Sequence, residues 1–170
     1  MKKIYLSVVC LLISIPLIAQ LYVEPEKEVE CSVFLAKEGR GRAQQGLEMW
    51  DDYIFSCEDG GHVNIYDFKS ADPKPVAGFE LASSHPDNHV NNVCFGVETK
   101  RGASFPLLYI TNGKVGSELE WLCFVESITR RGKRFSSEIA QTIELDGSKW
   151  VEKGYVPIFG APSWLVDRER

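Results

Sequence analysis

The stretch Tyr53-Ile-Phe-Ser-Cys-Glu-Asp-Gly-Gly-His-Val-Asn-Ile-Tyr-Asp-Phe68 limits what this chain can fold into more than any other. It reads as two short strands around Asp59-Gly60-Gly61. Tyr53, Phe55 and Cys57 fall on one face of the first strand and Ile54 on the other. In the second, Val63 and Ile65 share one face, and Tyr66 and Phe68 the opposite one. Asp-Gly and Gly-Gly tolerate the positive φ values that a tight hairpin requires, so the turn has a mechanism.

The same pattern continues on both sides. Gln45–Trp50 is a strand ending in an Asp51-Asp52 turn, and Val76–Leu81 is a fourth strand beyond the breaker-rich Ser70–Pro75. The order then recurs. Strands are expected at Val90–Val97, Pro106–Thr111, Glu120–Ile128 and Ile139–Leu145. Between them lie a loop at Thr99–Ser104, a turn at Asn112-Gly113, a basic loop at Arg130–Arg134 and a turn at Asp146-Gly147. Val76–Leu81 and Ala140–Leu145 hold the same place in each unit, and both end in Glu-Leu. Two units of four short strands, with no sustained helical period after the first twenty residues, predict an all-β chain built like propeller blades.

Leu108-Tyr-Ile-Thr-Asn-Gly113 resembles the Tyr-Val-Thr-Asn motif of the bacterial YVTN-type β-propeller repeats, with Ile110 in place of Val. Tyr53–Phe68 resembles the same hairpin, ending in Tyr66-Asp67 where WD-repeat-like families place an aromatic-Asp pair. The resemblance covers roughly residues 45–167. It implies a partial β-propeller with one blade at 45–81, a second at 90–145 and a stub of a third at 163–170, where Ser163–Asp167 takes the place of a first strand. Two blades and a stub leave sheet faces uncovered. The expectation is therefore a truncated propeller, or one that self-associates or takes its missing blades from another chain.

The beginning of the chain reads differently. Lys2 and Lys3 precede an apolar run, Ile4–Ala19, too short for a comfortable membrane span and ending in small and polar residues. Residues 1–19 read as a helical secretory signal peptide, which predicts an exported, periplasmic or extracellular protein. Its removal takes two lysines and moves the formal charge from −5 to −7. Residues 20–44 are a lead-in with one strand at Val29–Leu35. Cys31, Cys57, Cys94 and Cys123 remain. Three of them sit in apolar strand-like runs with no CxxC pair, the pattern of buried thiols acting as small hydrophobes. Export leaves one disulfide open, with partners that spacing does not name.

The acidic balance argues against a nucleic-acid partner, which would need a basic face. GxSxG, HExxH and Walker signatures are missing from the sequence, so no catalytic residue is assigned and no cofactor or metal is expected. The densest polar cluster is Ser83-Ser-His-Pro-Asp-Asn-His-Val-Asn-Asn92. His85 and His89 would share a face of a helix, but Pro86 and Asp87-Asn88 make the segment a loop. Two readings fit it. In one, His85, Asp87, Asn88, His89 and Asn91 form a wall of a ligand-binding site near the ring opening. In the other, the same residues form an Asx-type knot that fixes the junction between blades. His62, after the opening turn, is expected to be exposed. Trp121 and Trp164 are expected to pack in strands, and Trp150 to lie in a loop. The function expected is that of a non-catalytic, exported binding protein with an unknown ligand or protein partner. The alternative is a lyase or hydrolase on the same scaffold.

Overall fold

The computed structural model describes residues 42–112, 116–145, 151–154 and 163–167. Its strands are β1 (Gln44–Trp50), β2 (Tyr53–Glu58), β3 (His62–Asp67), β4 (Ala77–Glu80), β5 (Asn92–Phe95), β6 (Leu108–Thr111), β7 (Leu122–Arg131) and β8 (Arg134–Glu144). They form two four-stranded antiparallel sheets, β1-β2-β3-β4 and β5-β6-β7-β8, each a meander in chain order. The two four-strand units expected from the sequence are therefore present. The signal peptide and the strand at Val29–Leu35 lie outside the described residues, as do Cys31, Trp150 and the Asp146-Gly147 turn.

The hairpin register explains the sequence pattern. Phe55 pairs with Ile65 and Cys57 with Val63, which puts all four on one face. Those side chains are fully buried. On the opposite face Ile54, Ser56 and Tyr66 are also buried, so these strands show runs of apolar residues rather than a clean polar alternation.

The sheets face each other, with β1 against β5 and β4 against β8. One cluster of buried side chains from both sheets fills the space between them. At its centre Phe55 meets Phe95 at 4.9 Å and Phe105 at 5.2 Å between ring centroids, edge to face. Phe135 stacks on Phe79 at 6.1 Å and on Phe105 at 5.9 Å. Edge-to-face and offset geometries suit the ring quadrupoles. Gly46 lets β1 come close to β5, because a Cβ there would lie 3.0 Å from a methyl of Val93.

Two carboxylates cross between the sheets. Glu48 of β1 accepts a hydrogen bond from the Phe95 amide at 3.2 Å. Glu126 of β7, wholly buried, accepts from the amides of Ala82 and Ser83 at 2.9 and 2.8 Å, just beyond β4. A buried backbone amide without an acceptor is costly, and charged acceptors make the stronger bonds. A bulge in β8 sits beside Glu126: Val125 pairs with Gln141 and Glu126 with Ile139, so Ala140 has no residue opposite.

Some boundaries differ from expectation. Arg130–Arg134 is not a loop. β7 runs to Arg131, β8 starts at Arg134, and only Gly132-Lys133 turns the chain. Ser104 holds the end of β7, donating its amide to the Ile128 carbonyl at 3.0 Å and accepting from the Arg130 amide at 2.9 Å. Residues 163–167 form no strand. Trp164 instead lies against the outward face of β5 and β6. Its amide donates to Asn92 Oδ1 at 2.8 Å, and its ring sits 5.5 Å from Tyr109. Cys57, Cys94 and Cys123 are free, buried thiols. Burial pushes the Cys57 thiol far above its ordinary value, and the Glu126 carboxylate adds to the shift.

Phe55→Ala is expected to cost about 3–5 kcal/mol, read from urea or guanidinium unfolding midpoints. The Cys57 shift predicts a pH dependence. Below the ordinary thiol value of 9.0 both states keep the proton and stability is unaffected. Above it the unfolded chain releases the proton and the folded chain does not, so stability falls by up to about 1.4 kcal/mol per pH unit. Unfolding midpoints between pH 8 and 10.5 should show the decline, and Cys57→Ala should make it shallower, leaving the smaller contribution of the buried Cys123 thiol.

Candidate functional site

The connection from β4 to β5 clasps the tip of the β2–β3 hairpin. Gly60 and Gly61, at φ of 88° and 93°, make the turn that Asp59-Gly60-Gly61 predicted. A Cβ on Gly61 would come within 2.9 Å of the Ser84 backbone, so the close approach needs glycine there. Four hydrogen bonds join the two segments. The Leu81 amide donates to the Gly61 carbonyl at 2.8 Å, the His85 amide to the Gly60 carbonyl at 3.1 Å, the Gly60 amide to the Asn88 carbonyl at 2.6 Å, and Ser84 Oγ to the Gly60 carbonyl at 2.7 Å.

Asn88 is the centre of this knot and is 1 % exposed. Its Nδ2 donates to the carbonyl and hydroxyl oxygens of Ser83, and its Oδ1 accepts from the Val90 amide at 3.2 Å. Asn112, at the end of β6, does a similar job: its Oδ1 accepts from the His89 amide at 2.9 Å and its Nδ2 donates to the Leu119 carbonyl at 2.6 Å. Buried amides used in this way satisfy backbone groups that no strand can pair.

All three histidines of the chain gather at this end of the sheets, each beside a carboxylate. His62 Nδ1 lies 3.0 Å from Glu80 Oε1, placed there by the β3–β4 register that sets the two residues opposite each other. His85 Nε2 is 3.4 Å from Glu118, and His89 Nε2 is 3.4 Å from Asp59. His85 Nδ1 accepts from the Asp87 amide at 3.1 Å, which leaves the proton on Nε2, facing Glu118.

A cleft of about 180 Å³ opens beside the knot, lined by Arg42, Asp59, Gly60, His62, Glu80, Ser84, His85 and Pro86. Its volume suits a solute of a few heavy atoms, since a water molecule's share of the liquid is about 30 Å³. The walls offer donors from Arg42 and imidazole, and acceptors from Asp59 and Glu80. Among the described residues no cluster of His, Cys, Asp and Glu suits a metal ion.

Of the five residues expected at a binding site, only His85 lines this cleft. Asn88 is committed to the knot, His89 turns to Asp59, and Asn91 pairs its amide with the Thr111 carbonyl at 3.1 Å. Asp87 gives its amide to the His85 ring. His62, expected to be exposed, is half-buried and belongs to the cleft together with Glu80, Asp59 and Ser84. Their convergence depends on strand register and on the clasp, and spacing carried no sign of either.

No family model matches the chain, and neither the curated proteins nor the solved structures contain a significant match to it.

Asn88→Ala should cost about 2 kcal/mol in chemical unfolding, because it strands the Val90 amide and the Ser83 carbonyl in a buried place. Hydrogen exchange at Gly60 and Val90 should speed up more than exchange at Ile65.

Proposed function

We propose that this chain is an exported, non-catalytic binding module of β-propeller-like architecture that takes a small polar solute in the cleft between the Gly60 turn and His85. The observation that carries this reading is the cleft itself, a concave polar site held on a rigid, internally hydrogen-bonded support. The blade-like reading draws support from the two meanders facing each other, first strand by first strand and last by last. Export rests on the Lys2-Lys3 and Ile4–Ala19 pattern of the sequence.

Binding fits better than nucleophilic catalysis because of how three side chains share their contacts. Glu80 contacts both His62 and Ser84, at 3.0 and 3.3 Å, while Ser84 gives its proton to the Gly60 carbonyl at 2.7 Å. A serine nucleophile needs the base itself beside its hydroxyl. Here a carboxylate stands between the two, and a backbone oxygen takes the proton.

The test is an amide NMR titration of the purified chain with small polyols such as glycerol and small free amino acids such as glycine at millimolar concentration. A solute that occupies the cleft should shift Gly60, His62, Ser84 and His85 together. His62→Ala with His85→Ala should weaken it at least tenfold without lowering the unfolding midpoint by more than about 1 kcal/mol, as expected of half-exposed side chains. Chemical turnover of a bound solute, or no shift from either class, would count against the reading.

A further inference from the structure

We infer that the outward face of the β7–β8 hairpin is a second binding site, for a phosphomonoester. Arg131 and Arg134 sit directly opposite each other across the turn, on one face of the ribbon. Like charges in that position repel and destabilise a strand pair. Lys133 adds a third cation at the tip. None of these three side chains has an anionic partner among the described residues, although the chain as a whole is acidic at −5. Among the described residues one carboxylate lines the surface, that of Glu138, and it is already paired with Lys100 at 2.8 Å.

Arg130 is excluded from this group by geometry. Its guanidinium lies 4.9 Å over the Tyr53 ring and 5.7 Å over Phe135, and its Nε donates to the Gly132 carbonyl at 2.8 Å. It therefore holds the inner face of the hairpin while its neighbours turn outward. Behind the outward cations, Thr129 and Ser136 pair across the strands on the same face, with Ser127 one step further on. The surface forms a broad, open depression of about 830 Å³.

Two guanidinium forks, an ammonium and the hydroxyls of Thr129 and Ser136 match a tetrahedral oxyanion carrying two negative charges. A monoanion would leave more of the repulsion in place. The volume exceeds that of phosphate alone, so there is room for the group that carries it. A phosphorylated solute and a phosphomonoester lipid headgroup present the same chemistry here.

The test compares wild type with Arg131→Gln/Arg134→Gln, two exposed positions outside the core. Thermal unfolding is followed with inorganic phosphate, glucose 6-phosphate, and sodium chloride at matched ionic strength. Co-sedimentation uses phosphatidylcholine vesicles with and without phosphatidic acid. In wild type, phosphate or glucose 6-phosphate should raise the midpoint beyond the chloride control, or phosphatidic acid should recruit the protein to vesicles. The double variant should lose that response at least tenfold in affinity, yet be no less stable than wild type without ligand. A response confined to the soluble phosphates identifies a solute site, and one confined to vesicles a headgroup site. Equal effects of phosphate and chloride, no response to any probe, or an undiminished response in the double variant would overturn the proposal.

Discussion

The aromatic layer shared by the two sheets is what the rest of the structure depends on. Phe55 and Phe79 come from the first sheet, Phe95 and Phe135 from the second, and Phe105 from the loop that leads into β6. Each sheet turns an apolar face toward the other, and mutual covering removes the penalty water would impose on both. The loop before β6 must fold back to deliver Phe105, and that return also sets Ser104 against the end of β7. Packing at the centre thus governs how far the β7–β8 ribbon extends and where its charged tip is presented.

Polar groups inside this layer are tolerated because each has a defined task. Glu48 and Glu126 reach across in opposite directions, Glu48 accepting from the Phe95 amide of β5 and Glu126 from the Ala82 and Ser83 amides just beyond β4. They tie the first strand of one meander to the first strand of the next, and the end of the first meander to the third strand of the second. A mutual slide of the sheets would break these bonds, which an apolar interface alone would not prevent. The β4–β5 connection, anchored by Glu126 at one end and by Asn112 at the other, has little freedom. That rigidity keeps its cleft with the Gly60 turn preformed.

The two candidate surfaces use opposite logic. The cleft mixes donors and acceptors, and its histidines are already matched to carboxylates, so it suits a polar solute of little net charge. The hairpin tip concentrates cations with no anionic partner among the described residues, so a ligand there would have to bring the missing negative charge. One Arg in the run Arg130-Arg131 serves packing and the other faces solvent, a consequence of strand alternation that charge counting along the chain does not detect.

The strands, their order and the hairpin turn at Asp59-Gly60-Gly61 were legible in the sequence, because alternation and turn chemistry are local and act over a few residues. The burial of Cys57, Cys94 and Cys123 was legible for the same reason, from the apolar runs around them. Arg130 and Arg131 were read as loop since nothing apolar marks them; ring contacts of Arg130 with Tyr53 and Phe135 and the hydrogen bond from its amide to Ser104 Oγ hold the first in the strand, and Arg131 follows by pairing with Arg134. The polar cluster at 83–92 was recognised, but its roles were not. Asn88 became a brace and His62 a cleft residue only once β4 was laid beside β3 and the next connection closed over the turn. Sequence alone determined which residues can form strands and turns, since those preferences belong to short stretches of backbone. Which faces meet, and so which carboxylate reaches which amide or imidazole, was decided by the tertiary structure, because those partners lie 18 to 47 residues apart along the chain.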